Sequence, residues 1–452
     1  MQSSKRIPLN CVDKCLLALD GIRERMVPHI FLHLEGEVDA DRVRQAILSF
    51  IEAHPIMRSV LRTPPFRVYR EVRDDLGGDV LVVKDLSGLP ESAYEEYIDE
   101  WVNTPLDLGR DYPFKMVLIK RAEARFTLVF TIHHMASDGL GMALFVISVI
   151  NSYGQVAQGE QHTPERIRGF NEGDQLLGFA REQRPGTERY YLKMLGDLFN
   201  RFITSSFTPP ARIHHDKSGR SDDVGFCFAD VPKDGFGVLK AKTREAGVTV
   251  NDVLMAACYR TIEKWNRQHG KRANRLRIMA PVYIGPKGPK GIVANQVSWI
   301  SLVTLPHERV YPVDLLHTLR GKMAALFRDA IPYSLLYFFY FCSRFPLSVM
   351  RMMCRFLMIS RIYVDSILLS NVGVIWSEEL GEFMMGDVKI ADLTVLPPVV
   401  TPQGLSIVVY TYYGRLQICL GYKTALFSRE KAEAFLAQYM EELNSYPVVA
   451  KS

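Results

Sequence analysis

Seven consecutive residues constrain this chain most: His133-His134-Met135-Ala136-Ser137-Asp138-Gly139. Before them, Phe126 to Ile132 reads as a strand with Phe126, Leu128, Phe130 and Ile132 on one face. After them, Leu140 to Ile150 reads as a helix. A strand that ends on a His pair, a tight turn and a helix that opens just past Asp138 make one strand-turn-helix unit. Adjacent residues at a strand end point to opposite faces, so only one of the two imidazoles can project into a given cavity. A neutral imidazole there can take a proton from a hydroxyl or an amine near neutral pH. Each residue also has a plain structural reading: Asp138 as the N-cap of the helix, Gly139 as a turn residue, His133 as a hydrogen-bonded core histidine.

Strands and helices alternate around this unit. Ile30 to Leu34 reads as a strand. Asp39 is placed as an N-cap, and Val43, Ala46, Ile47, Phe50 and Ile51 recur at helical spacing up to Pro55. Phe114 to Ile119 is a second strand, joined to the strand at Phe126 by a polar turn. Residues 181–221 connect two halves, with a helix over Glu188 to Phe199 and then a Pro-, Ser-, His- and Gly-rich passage. The rhythm then restarts. Thr249-Val-Asn-Asp252 resembles a capping box that opens a helix to about Trp265. Strand-like runs follow at Leu276–Ile284, Val297–Thr304, Ile367–Leu369 and Leu405–Tyr412, and a last amphipathic helix spans Arg429 to Leu443. The expectation is an α/β chain of two lobes, residues 1–180 and 222–452, joined by 181–221.

Composition narrows the class. The chain has 452 residues, 48% of them apolar and 23% charged, with a net charge of +5. That is ordinary globular usage and excludes a disordered chain or a small disulfide scaffold. No basic stripe of the kind that binds nucleic acid is present, so no nucleic-acid partner is expected. The seven cysteines form no C-x-x-C pair and fit a reducing compartment. No histidine outside the pairs has metal-ligand spacing, so no metal is expected. No apolar leader follows Met1, and the uncharged run Ala330–Ser343 is too short to span a bilayer. These features point to a cytoplasmic protein.

His-His-x-x-x-Asp-Gly resembles the signature of the chloramphenicol-acetyltransferase-like acyltransferase superfamily. That superfamily includes peptide condensation domains, polyketide-associated acyltransferases and wax ester synthase/diacylglycerol acyltransferases. Further segments occur in the superfamily's order: His54-Pro-Ile-Met-Arg58, Thr104-Pro-Leu-Asp-Leu108, Gly247-Val-Thr-Val-Asn-Asp252, Pro281-Val282, Asn295 and Ser370-Asn371-Val-Gly373. Where relatives often carry Arg after the Pro-Val pair, this chain reads Tyr283-Ile-Gly-Pro-Lys287.

The resemblance implies a pseudo-dimer of two chloramphenicol-acetyltransferase-like lobes with a substrate tunnel at their interface. In it His134 is the general base, and Asp138 faces away from substrate and orders the turn through Arg58. Gly139 leaves room for a pantetheine arm, with His133 supporting the motif. Ser370, Asn371 and Asn295 are implied as substrate-binding residues. The implied reaction moves an acyl group from acyl-CoA or an acyl-carrier protein to a hydroxyl, in lipid or secondary metabolism. No bound cofactor is expected, the pantetheine thioester itself being substrate. An amide-forming condensation enzyme is one alternative, and a non-catalytic binding or scaffold member of the fold is another.

Three further features complete the reading. His214-His215 has Gly219 where the motif needs Asp, which argues against a second site. There is no Gly-x-Ser-x-Gly elbow, so direct transfer is expected without an acyl-enzyme. The stretch Tyr333 to Tyr363 is rich in aromatic residues and Met and is punctuated by Arg344, Arg351, Arg355 and Arg361. It reads as two core helices joined near Pro346, or as a surface for a lipid chain or peripheral membrane contact.

Overall fold

In the computed structural model the described residues are 5–20, 26–65, 67–73, 80–157, 207–219, 221–285, 294–359, 364–400 and 403–449, with isolated positions between 178 and 204. The helix expected over 188–199 lies for the most part outside them, as does the Gly-Pro-Lys run after Gly285. Along the chain come β1 (Arg6–Pro8), α1 (Cys11–Asp20), β2 (His29–Glu35), α2 (Ala40–Ala53), β3 (Ser59–Arg62), β4 (Tyr69–Val72), β5 (Val82–Asp85), α3 (Glu91–Asn103), β6 (Phe114–Ala122), β7 (Arg125–Ile132) and α4 (Gly139–Ala157). The second half holds β8 (Val224–Val231), α5 (Lys233–Glu245), α6 (Val250–Gln268), β9 (Leu276–Tyr283), β10 (Val297–Thr304), α7 (Pro312–Arg328), α8 (Ile331–Cys342), α9 (Leu347–Ile359), β11 (Ile367–Trp376), β12 (Met384–Met385), β13 (Val388–Leu396), β14 (Leu405–Tyr412), β15 (Arg415–Lys423) and α10 (Arg429–Asn444).

Two six-stranded sheets dominate, ordered β12-β13-β2-β7-β6-β5 and β10-β9-β11-β14-β15-β8, with a small β1-β4-β3 sheet beside them. β7 is central in the first sheet and buried on both faces. Phe126, Leu128, Phe130 and Ile132 pack with Phe50 of α2 and Phe145 of α4, the face the alternation predicts. The opposite face carries Val129, which shares an apolar layer with Val408 and Cys419 of the second sheet. That layer joins the lobes. The second lobe has its own core around α6, which is buried over most of its length. Its capping box is formed: Thr249 Oγ1 accepts the Asp252 N–H, and Asp252 Oδ2 accepts the Thr249 N–H at 2.8 Å.

The segment 222–452 does not keep to one sheet. After β11 the chain crosses to the first lobe, where β13 pairs antiparallel with β2 from Leu396↔His29 to Lys389↔Glu35. It then returns as β14, parallel to β11. The hairpin between β12 and β13 closes onto α4 so tightly that a Cβ on Gly386 would sit 3.3 Å from the Gly154 Cα. Tyr410 and Tyr412 of β14 donate to the Leu393 and Ile390 carbonyls of β13, tying the crossover down.

Where β9 leaves β11 the second sheet opens. The two strands pair only at Ile367↔Ile278 and Leu368↔Met279. Met279 and Leu369 mark the start of the split, and the sequence from Ala280 to Tyr283 runs on against β10 alone. The Arg-punctuated stretch folds as α8 and α9, two helices on either side of Pro346; α8 packs into the core, whereas Met350 is the one buried side chain among the described residues of α9. Leu335, Leu336 and Phe339 face inward, while Phe341, Met352 and Phe356 are exposed. Among the described residues, one helix is long and apolar enough to cross a membrane by length and composition, the stretch Gly139–Val156 of α4. Its Phe145, Val149 and Tyr153 are wholly buried in the first-lobe core.

Candidate active site

β7 delivers the two histidines to the point where the lobes meet, and their environments differ. The His133 N–H bonds the Pro113 carbonyl at 2.8 Å. Its Nδ1 accepts the Met135 N–H at 3.1 Å, and its Nε2 lies 3.2 Å from Asp20 Oδ1. Both ring nitrogens of His133 are thereby committed. The His134 Nδ1 lies 3.1 Å from the Ser137 carbonyl. A carbonyl can only accept, so Nδ1 carries the hydrogen and Nε2 keeps the lone pair. Burial pushes the His134 imidazole down to about 4, against the opposing pull of the Ser137 carbonyl. The ring is therefore neutral at pH 7 and has its basic nitrogen on the side away from the turn.

Asp138 faces the other way. Its Oδ1 accepts the Gly141 N–H at 3.0 Å, the bond of an N-cap to α4. Its Oδ2 accepts the Gln296 N–H of the second lobe at 2.7 Å. Burial raises its carboxyl to about 6 despite these donors. The N-cap and the ordering of the turn are one arrangement, and it bridges the lobes. Asp138 also helps, after burial, to push the nearby Tyr283 phenol up to about 12. A Cβ on Gly139 would meet no atom within 4 Å, so the ground before the first turn of α4 is open.

The buried arginine under the turn is Arg70. It donates to Asp13 Oδ2 at 2.8 Å and to the Met135 carbonyl at 2.7 Å. Arg58 donates to the Arg73 carbonyl at 3.3 Å, beside β4. Asn295 sits with Arg70 beneath the turn: its Nδ2 reaches Asp13 Oδ1 at 2.9 Å and the His134 carbonyl at 2.6 Å, and its Oδ1 is buried without a partner. Asp13 thus joins β4, α1 and the segment before β10 to the motif. Sequence reasoning does not single out Asp13 or Arg70. The available signal is Asn10-Cys-Val-Asp13, whose two side chains cap α1 reciprocally.

Ser370 and Asn371 lie on β11, opposite Val408 and Val409 of β14. Asn371 accepts the Gly373 N–H at 3.0 Å, across a bulge in the strand. Asn371 lines a cavity of about 450 Å³ in the split between β9 and β11, together with Thr249, Pro281, Val282, Arg320 and Phe327. None of the His-His-x-x-x-Asp-Gly residues lines it. His214 and His215 lie apart, on a wide cavity of about 560 Å³ shared with Phe207, Arg212 and Lys271. Among the described residues no group of three or more His, Cys, Asp or Glu side chains could hold a metal ion.

With this geometry in place, comparison with known proteins is informative. Residues 23–271 match the family model for the condensation domain. The chain is 25% identical over 242 residues to tyrocidine synthase 3 of Brevibacillus parabrevis, which covers 53% of this chain and 4% of that protein. It is 25% identical over 285 residues to the uncharacterized protein Rv2305 of Mycobacterium tuberculosis, 60% of each. The chain therefore spans only part of these relatives. Among solved structures it is similar to the first condensation domain of the CDA synthetase, at TM-score 0.71 and 17% identity over 99% of this chain and 98% of that one. A variant of the starter condensation domain of rhizomide synthetase RzmA, in complex with C8-CoA, gives TM-score 0.71 and 14% identity over 99% and 96%. At these identities the likeness shows the fold, which is that of condensation domains, two lobes with mixed sheets.

Proposed function

The chain belongs to the condensation-domain family, and from that premise we propose that it transfers an acyl group from a pantetheine thioester directly to an amine, with His134 Nε2 as the base. The observation that carries this reading is the fixed tautomer of His134: Nδ1 is held on the Ser137 carbonyl, so a neutral Nε2 is presented at physiological pH.

The acceptor nitrogen attacks the thioester carbonyl, a C–N bond forms and the C–S bond breaks. The proton passes through Nε2 to the departing thiolate, which leaves as the thiol. Asp138 and Asn295 are positioning residues in this scheme. Asp138 holds the turn to α4 and to Gln296, and Asn295 fixes the His134 backbone. The open ground at Gly139 would receive the pantetheine arm. The cavity that Asn371 lines would form part of a tunnel toward the site, and Ser370 and Asn371 would meet substrate there.

Two points favour an amine over a hydroxyl acceptor. An imidazole held near 4 is a weak base. A neutral amine attacks unaided and gives up its proton only as the bond forms, whereas a hydroxyl needs the base from the start. The relatives include a probable non-canonical nonribosomal peptide synthetase, CymA of Salinispora arenicola. The donor arm is common to CoA and a carrier protein, and the C8-CoA complex of the rhizomide synthetase domain supports the CoA form.

The test is mass spectrometry of products from mixed acyl-CoAs and a pool of amines and alcohols, with thiol release followed in parallel. Amide products that vanish in His134→Ala are expected. Ester products alone would overturn the acceptor assignment, and no thiol release with any thioester would overturn acyl transfer.

A further inference from the structure

The helix pair α8 and α9 has two sides of different chemistry. On the inner side Met350, with Met353 and Cys354 at its margin, joins Val12, Cys15 and Leu16 of α1 in one apolar cluster. On the outer side Met352 and Phe356, one turn apart on α9, are 65% and 58% exposed. Phe341, at the end of α8, is 54% exposed. Phe345, in the turn between the helices, stands edge-on to Phe341 with ring centroids 5.5 Å apart. Large apolar side chains gathered in the open like this mark a surface that something else covers.

Charge decides what that is. Residues 330–359 hold three arginines and no Asp, Glu or Lys. Arg351 and Arg355 are exposed and form a row alongside Met352 and Phe356. At the hairpin tip Arg344 lies over the Tyr340 ring, 4.9 Å from its centroid, and donates to the Tyr340 hydroxyl at 2.9 Å. The acids of α1 are engaged elsewhere: Asp13 pairs with Arg70, and Asp20 lies against His133. The outer face is therefore apolar and of one charge sign. A second copy fits it poorly, since a two-fold contact would bring arginine against arginine. An anionic phospholipid surface fits it well: Phe and Met side chains enter the acyl boundary while the guanidinium groups stay at the phosphates.

We propose that the outer face of α8 and α9 docks the protein on anionic phospholipid bilayers as a peripheral contact. Each arginine at such a surface should strengthen binding about fivefold. Each exposed apolar side chain that enters it should add about tenfold or more.

Vesicle flotation of the full chain is the test, with vesicles of phosphatidylcholine alone and of phosphatidylcholine mixed with phosphatidylglycerol. The protein should float with the mixed vesicles and stay at the bottom with phosphatidylcholine alone. Raising the salt to about 1 M should release most of it. Met352→Ser should lower the partition coefficient about tenfold or more, and Arg351→Gln with Arg355→Gln about twenty-fivefold, each with an unchanged circular dichroism spectrum. Arg429→Gln removes an exposed charge from α10, which packs beside β8, whereas α8 packs beside β10 at the other edge of the same sheet. It should change binding less than about twofold, being screened from the docked face. Flotation with neither vesicle, equal flotation with both, or an equal loss in Arg429→Gln overturns the proposal. So does a dimer in sedimentation velocity that Met352→Ser dissolves, which would give the face to a second copy. Flotation needs no turnover, so its result is separate from that of the acyl-transfer assay.

Discussion

The molecule carries two His-His pairs, and they show what makes such a pair a site. At 133–134 the pair ends a central strand and meets a buried frame. His133 is bonded at both ring nitrogens, and His134 is bonded at one. At 214–215 the pair lies on a wide cavity. His214 stacks on His269 at 4.4 Å, and the His215 Nδ1 lies 2.7 Å from the Lys217 carbonyl. Burial lowers both His134 and His214. What separates them is the scaffold: Asp13, Arg70, Asn295 and Asp138 converge from both lobes on the first pair. The dipeptide is common to both places, and the frame is not.

The frame is where this contrast can be broken most severely. Arg70 is 1% exposed and paired with Asp13. Arg70→Met leaves that carboxylate buried, and urea denaturation should show a loss of about 3–5 kcal/mol. Arg212, exposed beside the second pair, should lose less than about 0.5 kcal/mol on the same change. Equal losses would erase the distinction. Next in size is the base itself. His134→Ala should lower single-turnover thiol release about a hundredfold or more, with the fold intact by circular dichroism. Wild-type rates in that variant would remove His134 from the chemistry.

Acid sharpens the comparison through two opposed linkages. The folded His134 ring stays neutral down to about 4, so as pH falls through 6.5 the unfolded chain binds the proton first and stability drops. The Asp138 carboxyl, raised to about 6, is protonated first in the folded chain, so stability rises as pH falls from 6 toward 4. In the wild type the two largely cancel. His134→Ala keeps only the second, and its stability relative to wild type should climb by about 2 kcal/mol between pH 7 and 4.5. Parallel curves would mean the ring is not held neutral. Asp138→Ala should cost about 1 kcal/mol as a lost cap and slow turnover as well. An inactive variant with an unchanged melting temperature would instead assign Asp138 to the chemistry. The smallest effect belongs to the second pair: His214→Ala and His215→Ala should each leave turnover within twofold.

Much of this was legible from local pattern. Val297–Thr304 and Leu405–Tyr412 read as strands and fold over those same residues, because their apolar character matches burial on the spot. The Thr249–Asp252 cap and the Asp39 cap of α2 are likewise local chemistry. The strand read at Ile367–Leu369 runs on to Trp376. Its continuation carries Ser370, Asn371 and Gly373, and the bulge between Asn371 and Gly373 breaks the alternation, so the pattern stops short of the strand's end. β13 is obscured in the same way by Asp392 at a register shift, and its partner lies over 350 residues earlier. The site divides likewise. His134 and Asp138 stand out because the motif is contiguous, whereas Arg70 lies 65 residues before Met135 and Asp13 a further 57 before Arg70, and they leave no spacing to read.

The crossing of β12 and β13 has a consequence for how the chain can be cut. The first sheet takes its edge from the other half of the polypeptide, in the manner of strand donation within one molecule. An N-terminal fragment ending in the connecting region would leave β2 as an unpaired edge, a surface prone to pairing with other chains. The C-terminal fragment would carry the donor strand with nothing to complete. Expressed apart, the halves should be poorly behaved; expressed together, they should recover each other by complementation, with β13 as the clasp.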